Sequence, residues 1–263
     1  MKNNLTILLT IFLGISMNTS HAHAASLIEK LIPYHEGGKD YEGFVVFPAN
    51  ASGSNPGVLV IHNWMGLTDE TKSKARALAQ LGYVAFAADI YGKLNRPKDV
   101  SEAGKTATYF KSNRKVYREA LNLGLKELTK LKGVDPKKLA VIGYCFGGTG
   151  AIELARSGAD IKGAVSFHGG LDSPEPALGK NIKAKIIAFH GADDPFVPAK
   201  DVTAFEDEMR AHKVDWQLIK FGNTVHSFTE KASGNDNSKG AAYNERSDER
   251  SWQEMARFLK EVI

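Results

Sequence analysis

Short apolar runs alternate with amphipathic stretches along most of the chain. Tyr41–Phe47 (YEGFVVF) alternates apolar and polar positions, as a strand with one wet face does. Pro56–His62 (PGVLVIH) is apolar almost throughout, the pattern of a strand covered on both faces. Further strands are predicted at Tyr83–Asp89, Lys137–Gly143, Ile161–His168, Ala184–His190 and Asp215–Phe221. Helical spacing fills the gaps: a helix between an N-cap at Thr68 and a stop at Gly82, two helices within Ser101–Lys132, then Gly147–Ser157, Pro198–His212 and a closing helix over Asn244–Val262. Strands alternating with helices predict an α/β fold, a mostly parallel sheet with helices on both faces. In such sheets the chemistry sits beyond the carboxyl ends of the strands. That rule selects His62, Asp89, Cys145, His168, His190 and the loops after them.

Composition narrows the picture. The chain has 263 residues, 43% of them hydrophobic, enough to bury the core of one domain. The formal charge is +4, with lysines and arginines dispersed apart from a mild run at Lys105–Arg118, so no nucleic-acid partner is expected. At the N-terminus, Lys2 precedes the charge-free apolar run Leu5–Met17, and Ala22-His23-Ala24 fits an A-x-A cleavage site. The run is shorter than the roughly 20 residues that span a bilayer. The expectation is a signal peptide over 1–24, an exported chain, periplasmic or secreted, with one domain over 25–263, and no stable membrane insertion after cleavage. No set of His, Asp and Glu has metal-ligand spacing, so no metal or other cofactor is expected.

Export makes the single cysteine informative, because Cys145 has no internal partner for a disulfide. It lies in VIGYCFGGTG, where Gly143, Cys145 and Gly147 form G-x-C-x-G between a predicted strand and a predicted helix. This is the context of a nucleophile elbow, a strained turn whose flanks need glycine because side chains there would meet neighbouring backbone. A helix start offers Cys145 a dipole and free N–H groups that favour a thiolate, and Phe146 N–H would face a developing oxyanion. The same five residues also read as a glycine-rich turn around a buried cysteine; no phosphate-binding glycine motif is completed. Downstream, FHGADDPFVP carries Asp193 and Asp194 after one strand, and GNTVHSF carries His226 after the last. Nucleophile, acid and histidine then follow the order used by hydrolases with this elbow. His226 would move the proton and Asp194 would orient the imidazole. Asp194 also reads as a turn residue before Pro195, and His226 as a solvated loop residue.

From Tyr41 to the C-terminus the chain resembles the dienelactone hydrolase family of α/β-hydrolases, on VLVIHNWMGLTDE, GYVAFAADIYGK, VIGYCFGG, FHGADDPFVP and VHSF. The resemblance implies a Cys145–His226–Asp194 triad, with Asp194 preferred to Asp193 because the acid falls just before FVP. It also implies a second oxyanion donor, Trp64 N–H. Three substrate-binding positions depart from the family: a glutamate is replaced by Asn63, and two carboxylate-binding arginines by Lys93 and Glu230. One positive charge survives as a poorer clamp and the other is reversed. The expectation is therefore a hydrolase of small carboxylic esters or lactones that prefers neutral substrates to dienelactone. A thioesterase or amidase, or a non-catalytic binding module, would share these features. Trp64 and Met65 would shape an acyl pocket or simply pack.

Overall fold

The computed structural model describes residues 26–51 and 53–263, so the expected signal peptide lies outside the described residues. Eight strands form one sheet in the order β1-β2-β4-β3-β5-β6-β7-β8. They are β1 (Leu27–Glu36), β2 (Lys39–Pro48), β3 (Asn55–Ile61), β4 (Val84–Ala88), β5 (Val134–Tyr144), β6 (Gly163–Phe167), β7 (Lys185–Gly191) and β8 (Trp216–Phe221). β2 runs antiparallel to both β1 and β4; every pairing from β4 to β8 is parallel. The helices are α1 (Asp69–Gln80), α2 (Val100–Ser112), α3 (Arg114–Lys130), α4 (Phe146–Arg156), α5 (Ala199–Ala211) and α6 (Glu245–Val262). All predicted strands and helices are present.

The strand period of two sorts the core into two layers. In β3, Leu59 and Ile61 face the side covered by α2–α5, against Phe110, Tyr117, Leu121 and Phe205. Val58 and Val60 face the other side, against Leu78 and Ala79 of α1 and Met255, Phe258 and Leu259 of α6. Covering both faces is what makes the middle strands almost uniformly apolar.

One strand was not predicted. β1 (LIEKLIPYHE) pairs on one side only, leaves most of its residues exposed and contains Pro33. An edge strand has no second neighbour to need the N–H that Pro33 lacks, and little buried area to impose alternation, so its pattern carries no strand signal.

The sheet order also locates the site. From β3 the chain crosses to β4 on one side and later returns to β5 on the other, so the strand order switches direction between β3 and β5. Parallel α/β sheets open a crevice at such a point. The loops after β3 and β5 carry Trp64 and Cys145.

Candidate active site

Cys145 occupies the turn between β5 and α4 with φ +54° and ψ −114°, outside the regions that L-residues prefer. Its neighbours explain why the turn is tolerated. A Cβ on Gly143 would overlap the carbonyl of Gly147, and a Cβ on Gly147 would overlap the carbonyls of Ile61 and His62. Both glycines therefore permit close backbone packing rather than a positive φ. The turn is pinned by Cys145 N–H, which donates to Phe167 O at 3.0 Å. The sulfur is left partly exposed.

His226 reaches this sulfur from the loop after β8. Its Nε2 lies 3.1 Å from Cys145 Sγ, and its Nδ1 lies 2.7 Å from Asp194 Oδ2. The histidine backbone is fixed on both sides, with His226 N–H donating to Gly240 O at 3.1 Å and Ala242 N–H to His226 O at 3.0 Å. Asp194, in the loop after β7, is buried and accepts Phe196 N–H on Oδ1 at 2.8 Å. Burial alone would lower the affinity of His226 for a proton. Hydrogen bonds to Asp194 and Cys145, with their charges, outweigh it and hold its pKa up at about 10. A charged imidazolium between sulfur and carboxylate is thereby favoured.

Trp64 and Phe146 both line the space over Cys145 and His226. Phe146 N–H, at the start of α4, and Trp64 N–H, after β3, donate to no acceptor among the described residues. Trp64 N–H belongs to the peptide whose carbonyl is Asn63 O, and a trans peptide points the two in opposite directions. That carbonyl accepts His62 Nδ1–H at 2.6 Å and Gly66 N–H at 3.2 Å. Ile90 N–H donates to His62 Nε2 at 3.2 Å, so Nε2 is the acceptor nitrogen and Nδ1 carries the proton. Burial keeps His62 neutral by lowering its pKa. His62 thus orients the Trp64 peptide, a role the sequence left undecided between pocket lining and strand-end packing.

A cavity of about 370 Å³ opens over Cys145 and His226. Trp64, Phe196 and Val197 form its apolar walls, and one face of α2 closes it with Gly104, Ala107, Thr108 and Lys111. Phe196 stands edge-on to the His226 ring, with centroids 5.4 Å apart. Neither α2 nor Phe196 was expected at the site. The signal in α2 was small residues at i, i+3 and i+4 with Lys111 at i+7, which cannot be told from an ordinary packing face.

None of the three expected substrate-binding residues lines this cavity. Lys93 sits on a short turn after β4, half exposed, with Nζ 3.4 Å from Glu42 Oε2. Asn63 and Glu230 are both buried and meet behind the loop after β3, Asn63 Nδ2 donating to Glu230 Oε1 at 3.2 Å. A carboxylate behind the loop meets no substrate directly and acts on the cavity only at a distance, so the close repulsion expected of Glu230 is absent from this geometry. The remaining strand-end residues do not line the cavity either. Asp89 accepts Arg96 Nη2–H at 2.8 Å and Gly92 N–H at 3.0 Å. His168 shares a 2.8 Å bond with Thr229 Oγ1 and packs its ring beneath His226, and His190 is buried at the end of β7.

A sequence profile of the Dienelactone hydrolase family matches residues 41–263. The chain belongs to the dienelactone hydrolase family. The crystal structure of a dienelactone hydrolase-like promiscuous phosphotriesterase from metagenomic libraries superposes with a TM-score of 0.86 at 36% identity, covering 90% of this chain and 98% of that one. "Protein usf" of Aquifex pyrophilus is 30% identical over 76% of this chain and 86% of its own length. A Bradyrhizobium protein named "Probable 2-oxo-3-(5-oxofuran-2-ylidene)propanoate lactonase" is 28% identical over 68% of this chain and 75% of its own. The protein is a dienelactone hydrolase-like hydrolase of esters or lactones on the α/β-hydrolase fold. Among the described residues, no helix of this family member is long and apolar enough to cross a membrane.

Proposed function

We propose that this hydrolase cleaves small carboxylic esters or lactones through a thioester on Cys145. His226 Nε2 already holds the proton given up by the thiol, so Sγ attacks the carbonyl carbon as a thiolate while Asp194 steadies the imidazolium. Phe146 and Trp64 N–H hold the oxyanion of the tetrahedral intermediate. Its collapse breaks the bond between carbonyl carbon and ester oxygen, and His226 returns the proton to the leaving alkoxide. Water, deprotonated by His226, then attacks the thioester and releases the acid with the thiol restored. The observation that carries the reading is the bridging position of His226, 3.1 Å from the sulfur and 2.7 Å from the buried carboxylate.

The test is acid quenching of a p-nitrophenyl acetate reaction followed by peptide mass spectrometry. An acetyl group on the peptide containing Cys145, and loss of turnover in a folded Cys145→Ala variant, are expected. Undiminished turnover in that variant sinks the mechanism. The proposal includes export, supported by the apolar run Leu5–Met17 and by Ala22-His23-Ala24.

A further inference from the structure

Glu230 lies four residues after His226, is buried, and takes no part in the steps above. Its Oε1 accepts Asn63 Nδ2–H at 3.2 Å. The other end of the same amide, Asn63 Oδ1, accepts Met65 N–H at 2.9 Å. Asn63 is therefore gripped at both side-chain ends and, through its carbonyl, by His62 and Gly66. The peptide that carries Trp64 N–H sits in the middle of these contacts. Glu230 N–H donates to Ser227 O at 2.9 Å, which ties the carboxyl to the histidine loop.

We propose that Glu230 is a positioning residue: through Asn63 it locks the oxyanion loop onto the histidine loop, so that Trp64 N–H and His226 meet the same carbonyl group. This rests on the thiol-hydrolase reading of the site. An isolated Asn63 amide could rotate and release Met65 N–H; a buried acceptor on its Nδ2 removes that freedom. Glu230 can do this in either protonation state, but with different strength, because a carboxylate accepts more strongly than an acid. The groups facing it are Asn63 from the loop after β3, Glu70 and Lys74 from α1, Tyr144 from the end of β5, and His226 in its own segment, with Asp248 of α6 on the far side of Lys74. Burial and the Glu70 charge raise Glu230 to about 7, against the opposing pull of Asn63, His226 and Lys74. The lock is therefore weaker just below neutral pH than above it.

The experiment uses the whole protein and p-nitrophenyl acetate, with iodoacetamide alkylation of Cys145 as a second readout, since alkylation needs the thiol–histidine pair but no oxyanion donor. Removing one oxyanion donor outright lowers kcat by about 100- to 1000-fold, so a displaced one should cost about 10- to 100-fold. Glu230→Leu is expected to lose that much kcat with KM and alkylation rate nearly unchanged. Glu230→Gln, which keeps an acceptor for Asn63, should restore most of kcat and lose the inflection near neutral pH. Asn63→Ala should reproduce the loss, and adding Glu230→Leu to it should cost nothing more. Unchanged kcat in Glu230→Leu, alkylation falling in step with kcat, or additive losses in the double variant would each overturn the proposal. If Glu230→Leu does not fold, an inflection that persists in Glu230→Gln overturns it instead. Absence of an acyl adduct in the wild type would overturn the thiol-hydrolase reading itself; an adduct with unaltered Glu230→Leu kinetics overturns only the role of Glu230.

Discussion

Asp193 and Asp194 are adjacent in the chain, yet Asp194 is buried with His226 Nδ1 at 2.7 Å while Asp193 points into solvent. The turn after β7 separates them: Asp193 N–H donates to Thr224 O and Asp194 N–H to Gly191 O. One carboxylate can fix an imidazole tautomer; the other makes no hydrogen bond or ion pair among the described residues. Asp194→Asn is expected to lower kcat by about three to four orders of magnitude, as loss of the orienting carboxylate does in such triads. Asp193→Asn should leave it nearly unchanged. The opposite ranking in steady-state kinetics would remove Asp194 from the triad.

Stability should depend on pH through Glu230. Its folded-state pKa is raised from 4.5 to about 7, so the folded protein keeps this proton after the unfolded chain has lost it. The sign follows: stability declines as pH rises from about 4.5 to about 7, by at most about 3 kcal/mol, and is not recovered above that range. Glu230→Gln removes the penalty. Urea unfolding should show the variant more stable than wild type at pH 8 and no more stable at pH 5. Equal shifts at both values would place the Glu230 proton elsewhere.

Lys111, not Lys93, is the cation available to a substrate. It is the one lysine, arginine or acid among the described residues lining the cavity, and it makes no ion pair among them. Its side chain is exposed, so its pull on a carboxylate is worth about 1 kcal/mol or less. Lys111→Gln should raise KM for a carboxylated ester by about two- to fivefold and leave its neutral analogue unaffected. Lys93→Gln should change neither. A loss confined to Lys93→Gln would mean that this turn folds over the cavity when substrate binds.

Processing is tested by mass. Expression with the native N-terminus in a secreting bacterium should yield a chain beginning at Ala25, and fusion of residues 1–24 to a reporter should export it. A soluble, retained chain with Met1 intact would end the export proposal.

The alternation of apolar runs with helical stretches was enough to place every strand from β2 to β8 and all six helices, because burial on both faces forces those patterns onto the residues themselves. The residues of the proposed triad were legible for a related reason. A glycine on each side of Cys145, and Asp194 and His226 each just after a strand, are local requirements of turns that must pack backbone against backbone. The sequence departures at Asn63, Lys93 and Glu230 were equally visible, but their meaning was not. Whether a side chain after a strand faces the cavity or the space behind the loop depends on how that loop is tethered. Asn63 turns inward because Glu230, from a loop 167 residues away, accepts its amide. Lys93 lies outside the cavity and turns to Glu42, on the strand beside β4, with Nζ 3.4 Å from Oε2. Lys111 and Phe196 line the cavity only because α2 and the loop after β7 fold over the sheet edge. These are long-range contacts, and a single sequence records the partners without recording which of them meet.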